Sequence, residues 1–196
     1  TVKNGASKDP TRYVLNGVLI SQNGKTASAV TTNGNILLKT TWDLENEEDY
    51  PNIQGKPTDN LSLENVGVII PIEAIEKAQK SISKKVRLPI LEKIQLLIQK
   101  ENRATLLTTN LEQGTVIPTR TIDGSFPKYE QVMVKEENVK LKIRLSVESL
   151  EILTKTLKGM DVDTVVLGVV DNINPIKLDA EHNRIKLEGC LMPSKL

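Results

Sequence analysis

Apolar and polar positions follow two different periods along this chain of 196 residues. Near its start, "YVLNGVLI" (13–20), "KTASAVTT" (25–32) and "NILLKTTW" (35–42) are rich in Val, Leu, Ile and Thr and bounded by turn formers. They read as three antiparallel strands. Asn33-Gly34 lies between the second and third runs, and Asn-Gly there predicts a type I′ hairpin with positive φ at both central positions. Residues 1–12 read as a polar lead-in, and 43–64, acidic and dense in turn formers, as a long solvated surface connection.

The period then changes. "NVGVII" (65–70) reads as a buried strand, and Pro71 suits the first turn of a helix whose apolar stripe is Ile72, Ile75, Ala78 and Ile82. Strands follow at 92–99, 102–109 and 114–122, and 123–130 reads as a turn and connection. The order recurs. "VKLKIRL" (139–145) alternates as a strand, and Ser146 caps a helix with the stripe Val147, Leu150, Leu153 and Leu157, ended by Gly159. Strands at 162–170, 174–179 and 183–192 complete it. Strand, helix and three strands thus occur at 65–122 and again at 139–192, and the first 42 residues supply the three-strand part of a further copy. The expected fold class is α+β: repeated strand-helix-three-strand units whose antiparallel sheets join edge to edge, with helices on one face.

Composition adds limits. Lys and Arg number 26 against 25 Asp and Glu, so no overall charge directs the chain to nucleic acid, although a local basic face still can. Aromatic residues are 3%, so the core must rest on Ile, Leu and Val. The single cysteine, Cys190, forbids an intrachain disulfide and fits a reducing compartment. Next to apolar neighbours it reads as a small buried residue. No run approaches the roughly 20 apolar residues of a membrane span, and no signal peptide is visible, so the expectation is a cytoplasmic, soluble protein. Catalysis finds no support. His182 sits beside Glu181 in a turn, and Asp161 and Asp163 lie at a strand start. Neither Cys/His metal spacing nor a P-loop nor GxSxG occurs, so no enzyme activity, metal or cofactor is expected.

Four segments, in order, resemble the bacterial DNA polymerase III β sliding-clamp family. "TRYVLNGVLI" (11–20) is similar to the start of that family's middle domain after its first helix. "TTNGNILL" (31–38) stands where the family has a Thr-Asp-Gly-His-Arg-Leu hairpin. "TIDGSFPKYEQV" (121–132) resembles the Asp-Gly-x-Phe-Pro-x-Tyr junction between middle and last domains. The closing "MPSKL" resembles a Met-Pro-Met-Arg-Leu C-terminus. The resemblance implies a DNA-clamp-like fold and a shortened member. Residues 1–133 would be a middle domain lacking its first strand and helix, and 134–196 half of the last domain.

The same resemblance implies a function. The family's domains form a ring around duplex DNA, and an apolar pocket receives short peptides from polymerases, the clamp loader and repair proteins. Residue by residue, it places Leu15, Thr32, Gly34, Leu37, Pro127, Val132, Met192, Pro193 and Leu196 at that pocket. Asn35, Ile36 and Gln131 depart from the family's His-Arg and Arg, which makes the rim less basic. Read from the residues alone, Leu15, Leu37 and Val132 are equally at home in a core. Lys77, Lys80 and Lys84 share a helix face with spacing that suits sequence-independent phosphate contact, and Lys155 and Lys158 lie in the last turns of the second helix. Lysines so placed also stabilise a helix C-terminus. The expected role is a non-enzymatic processivity or tethering factor, binding double-stranded DNA and partner peptides, and homo-oligomeric. The alternative is an interaction module that binds clamp-motif peptides without encircling DNA.

Overall fold

The structure, a computed structural model, describes residues 2–44, 50–63, 66–82, 89–183 and 185–194. It divides into two compact units, Thr1–Gln131 and Val132–Leu196.

In the first unit, β1 (Gly17–Asn23), β2 (Thr26–Thr32), β3 (Leu37–Asp43) and β4 (Gly67–Pro71) form an antiparallel sheet in the order β3-β2-β1-β4. Helix α1 (Ile72–Ser81) follows, then β5 (Gln95–Gln99), β6 (Arg103–Thr109) and β7 (Gly114–Arg120) in a second sheet. The strand that opens the repeat therefore pairs with the preceding three strands and not with its own. A bridge between Ile69 and Ile122, with the Ile122 amide donating to the Ile69 carbonyl at 2.8 Å, continues the β4 edge towards the end of β7.

Strand alternation distributes the core. Ile20, Val68 and Ile70 face α1, which sets Ala74 and Ala78 against Ile98, Ala104, Leu106 and Ile117 of the second sheet. The two alanines let the helix approach closely. Ala74 was absent from the expected stripe, and Ile75 is only partly buried beside it. The opposite face of the second sheet holds Leu97 and Leu107 against Ile53, Tyr50 and Val116. The described part of 43–64 is thus not simply solvated: Ile53 is buried, and Leu61 bridges Ile98. Asn60 Oδ1 accepts the Ile98 amide at 3.0 Å, and Asp59 accepts from Gln99, whose Oε1 is bonded to the buried Thr105. Turn-former content marked the backbone as irregular but could not reveal that it docks.

In the second unit, α2 (Val147–Gly159) precedes β8 (Val166–Gly168), β9 (Ile176–His182) and β10 (Ile185–Leu191), in the order β10-β9-β8. Ile176, Leu178 and Leu191 form its core, with Ile143, Leu145 and Leu153 partly buried against them. Ser146 Oγ accepts the Ser149 amide at 3.4 Å, the expected N-cap.

Several local expectations fail. Residues 13–16 belong to a 3-10 turn, Pro10–Asn16, capped by Asp9, and Val2–Gly5 forms another within the supposed lead-in. Asn33-Gly34 is not a two-residue turn, because Thr32 pairs with Leu37 around a four-residue loop with positive φ at Gly34 alone. The two-residue turn is Gly24-Lys25, between paired Asn23 and Thr26. Among the described residues, segment 139–145 makes no ladder and one bridge, Arg144 to Ser194. Of 162–170 only Val166–Gly168 is strand. Helix α2 does end at Gly159, and the left-handed residue beyond it is Asp161 (φ 58). Cys190 is exposed, because it pairs with Lys177 on the outer face of β9–β10 while its neighbour Leu191 faces inward.

Candidate functional site

The residues proposed for a partner pocket come from both units. At one end of the first sheet, Thr32 pairs with Leu37, and Leu15 lies in the turn that leads into β1. The Leu15 carbonyl accepts the Ser7 amide at 2.9 Å. Between Thr32 and Leu37 the loop is stiffened by its own polar groups. Thr32 Oγ1 accepts the Gly34 amide at 3.1 Å, and Asn33 Oδ1 accepts those of Asn35 and Ile36 at 2.9 and 3.0 Å. Gly34 has φ 95, a conformation that disfavours any side chain. Thr32 is buried, Leu15 and Leu37 half-buried, and Ile36 exposed.

Two features of this end were missed from sequence. Arg12 donates to the Asn33 carbonyl at 3.2 Å, so a guanidinium stands at the loop although His-Arg is lacking. Asn16 Oδ1 is buried with no hydrogen-bond partner among the described residues, an acceptor beside Leu15 that wants a donor. Neither the spacing of Arg12 nor the type of Asn16 distinguishes it in a sequence.

Pro127 is on the junction segment that crosses the sheet face opposite α1, and Gly124 of the same segment lies against Tyr13 and Val14 of the turn that holds Leu15. A cavity of about 310 Å³ there is lined by Leu19, Gly67, Ile69, Phe126, Pro127 and Tyr129. Tyr129 is buried, its ring edge-on to Phe126, and Lys39 Nζ lies 5.4 Å from its centroid. Burial, and then the bond to Glu130, push the Tyr129 hydroxyl above its ordinary pKa. The Asp-Gly-x-Phe-Pro-x-Tyr motif was the only signal for this cavity.

In the second unit, Val132 is 70% exposed and Met192 60%, while Pro193 is half-buried; Leu196 is outside the described residues. Of the lysines, Lys77 and Lys80 are exposed on α1, and Lys84 is outside the described residues. Lys155 is held by Glu151 at 2.7 Å one turn away on α2, and Lys158 is exposed.

Strand order, helix placement and this junction invite comparison with solved folds. The β subunit of DNA polymerase from Streptococcus pyogenes superposes on 99% of this chain with a TM-score of 0.74, at 16% identity. The DNA polymerase III β subunit of Thermotoga maritima covers 98% at a TM-score of 0.69 and 20% identity. This chain has the β sliding-clamp fold. A sequence relative agrees: the β sliding clamp of Rickettsia felis is 28% identical over 191 residues, 96% of this chain. The resemblance read from four motifs therefore extends along nearly the whole chain. The chain spans 42% of that relative and 46% of the Streptococcus pyogenes subunit. No protein-family model matches.

Proposed function

We propose that this chain is a sliding-clamp-like processivity or tethering factor, non-enzymatic, which holds duplex DNA through basic helix faces and binds partner peptides in an apolar pocket. The observation that carries the reading is the sliding-clamp fold over 99% of the chain. On this reading Thr1–Gln131 corresponds to the middle domain of a clamp and Val132–Leu196 to half of its last domain.

Lys77 and Lys80 are the leading phosphate contacts, because both are exposed on one face of α1. Lys158 is the better candidate on α2, since Lys155 already meets Glu151. For the pocket, Leu15, Leu37, Pro127, Val132, Met192, Pro193 and Leu196 supply apolar surface, with a methionine able to adapt to different peptides. Thr32 and Gly34 set the loop at its side. Asn16 Oδ1 would accept a peptide amide, and Arg12 would favour an acidic residue at the rim. The partners are polymerase and clamp-loader peptides, the assembly is a homo-oligomer, and the setting is the cytoplasm. Among the described residues no helix is long and apolar enough to cross a membrane.

Retention on circular against linearised duplex DNA tests encirclement: retention on the circle alone is expected. Titration with a clamp-binding peptide, compared with a chain cut before Met192, tests the pocket, and weaker binding to the cut chain is expected. Peptide binding with no DNA retention of either kind would leave the interaction-module reading in place of the clamp. Equal peptide affinity of both chains would remove the tail from the site.

A further inference from the structure

The two repeats can be laid over one another. The stripe Ile72, Ile75, Ala78, Ile82 maps position for position onto Val147, Leu150, Leu153, Leu157. The same offset carries Val68, Ile69 and Ile70 onto Ile143, Arg144 and Leu145. The bridges agree. The Ile69 carbonyl accepts an amide from beyond β7, and the Arg144 carbonyl accepts the Ser194 amide, from beyond β10, at 2.8 Å.

What differs is the other edge. In the first repeat Val68 and Ile70 pair with Ile20 and Val18 of β1, and Ile70 is 0% exposed. In the second, the backbone of Leu141, Ile143 and Leu145 makes no hydrogen bond among the described residues. Ile143 and Leu145 are left half-buried and Leu141 exposed. An extended segment with one edge tied and the other open is a template for strand addition.

Side chains select the partner. Ile143 and Leu145 turn to the core, so the alternate positions Lys140, Lys142 and Arg144 form a row on the outer face. Lys142 meets Glu136 of the preceding turn, a local pair that an acidic side chain of the partner would exchange. A second copy of the same edge would set lysine against lysine, which is unfavourable for strands directly opposite.

We propose that 139–145 is a strand-accepting edge whose occupant is an extended segment of a partner protein that alternates apolar and acidic residues. Its apolar side chains take the place that Val18 and Ile20 hold in the first repeat. Its acidic side chains face Lys140 and Lys142. The site depends on repeat geometry and not on the clamp reading.

The test uses the full chain and two synthetic peptides that alternate valine with glutamate or valine with lysine. Binding is followed by fluorescence anisotropy and by amide hydrogen exchange across 139–145. The glutamate peptide should bind roughly tenfold more tightly than the lysine peptide, from the opposite-charge pairs with Lys140 and Lys142. It should slow exchange at Leu141, Ile143 and Leu145. In the Lys140→Glu/Lys142→Glu variant the preference should invert, with the helical circular dichroism unchanged. Equal binding of both peptides, or no slowing at those amides, overturns the proposal. Slowing that grows with protein concentration in the absence of peptide also overturns it, in favour of a second copy.

Discussion

The two repeats share a plan and differ in what completes it. In the first, α1 and the β5–β7 sheet meet a second sheet, and seven side chains form one buried cluster, with Ile70 at its centre. In the second, three side chains do so, and α2 leaves Val147 and Ile152 largely exposed. An amphipathic helix over three strands covers one sheet face, and the neighbouring strand on the open edge supplies the remaining apolar surface. Strand β1, through Ile20, thus helps to finish the core of the repeat that follows it.

The largest effects should come from the paired core positions. Ile70→Ala should cost about 2–5 kcal/mol in denaturant unfolding, as a fully buried large-to-small change. Leu145→Ala, at the matching place, should cost about 1 kcal/mol, in keeping with its partial burial. Equal costs would show that the two positions are completed alike. Gly17→Ala probes the β1–β4 junction, where an added Cβ would lie 2.4 Å from Ile69 Cγ2 and 2.9 Å from the Ile70 carbonyl. Overpacking of this kind costs about 1–3 kcal/mol, readable as a fall in the denaturation midpoint. Ser146→Ala should cost about 1 kcal/mol as a lost N-cap. At the matching position Pro71 makes no side-chain cap bond, so Pro71→Ala should show no such loss.

The smallest effect is electrostatic. The Gln99 amide, and after it Arg103 and Lys100, hold the Asp59 carboxyl below its ordinary pKa. Its folded pKa is therefore lower than its unfolded one, which is about 4. The stabilisation is complete above that value and is lost as pH falls through the folded pKa. Urea midpoints measured downward from neutral pH should fall less steeply for Asp59→Asn than for the parent chain.

Much of this was legible in the sequence for a physical reason. Alternation placed β2, β3, β6 and β7 to within a residue or two, and the helical stripes with Ser146 located both helices. Burial on one face imprints those patterns directly. Partner-dependent features were not legible. Segment 139–145 alternates like a strand, yet a strand needs a neighbour, and one bridge is not a ladder. Cys190 stands beside Leu191, but period two sends it outward. At the β2–β3 loop, motif spacing marked Thr32, Gly34 and Leu37 as neighbours, while Arg12 and Asn16 come to the sheet end only through the 3-10 turn.

Residue-resolved amide hydrogen exchange on the full chain tests the repeat comparison most directly. Carbonyls and amides alternate along an extended strand, so those of Val68 and Ile70 point towards β1, and those of Ile143 and Leu145 point to the open edge. The amides of Val68 and Ile70 should exchange slowly, near the rate of global unfolding, and those of Ile143 and Leu145 orders of magnitude faster. Equal protection at the two pairs would contradict the account.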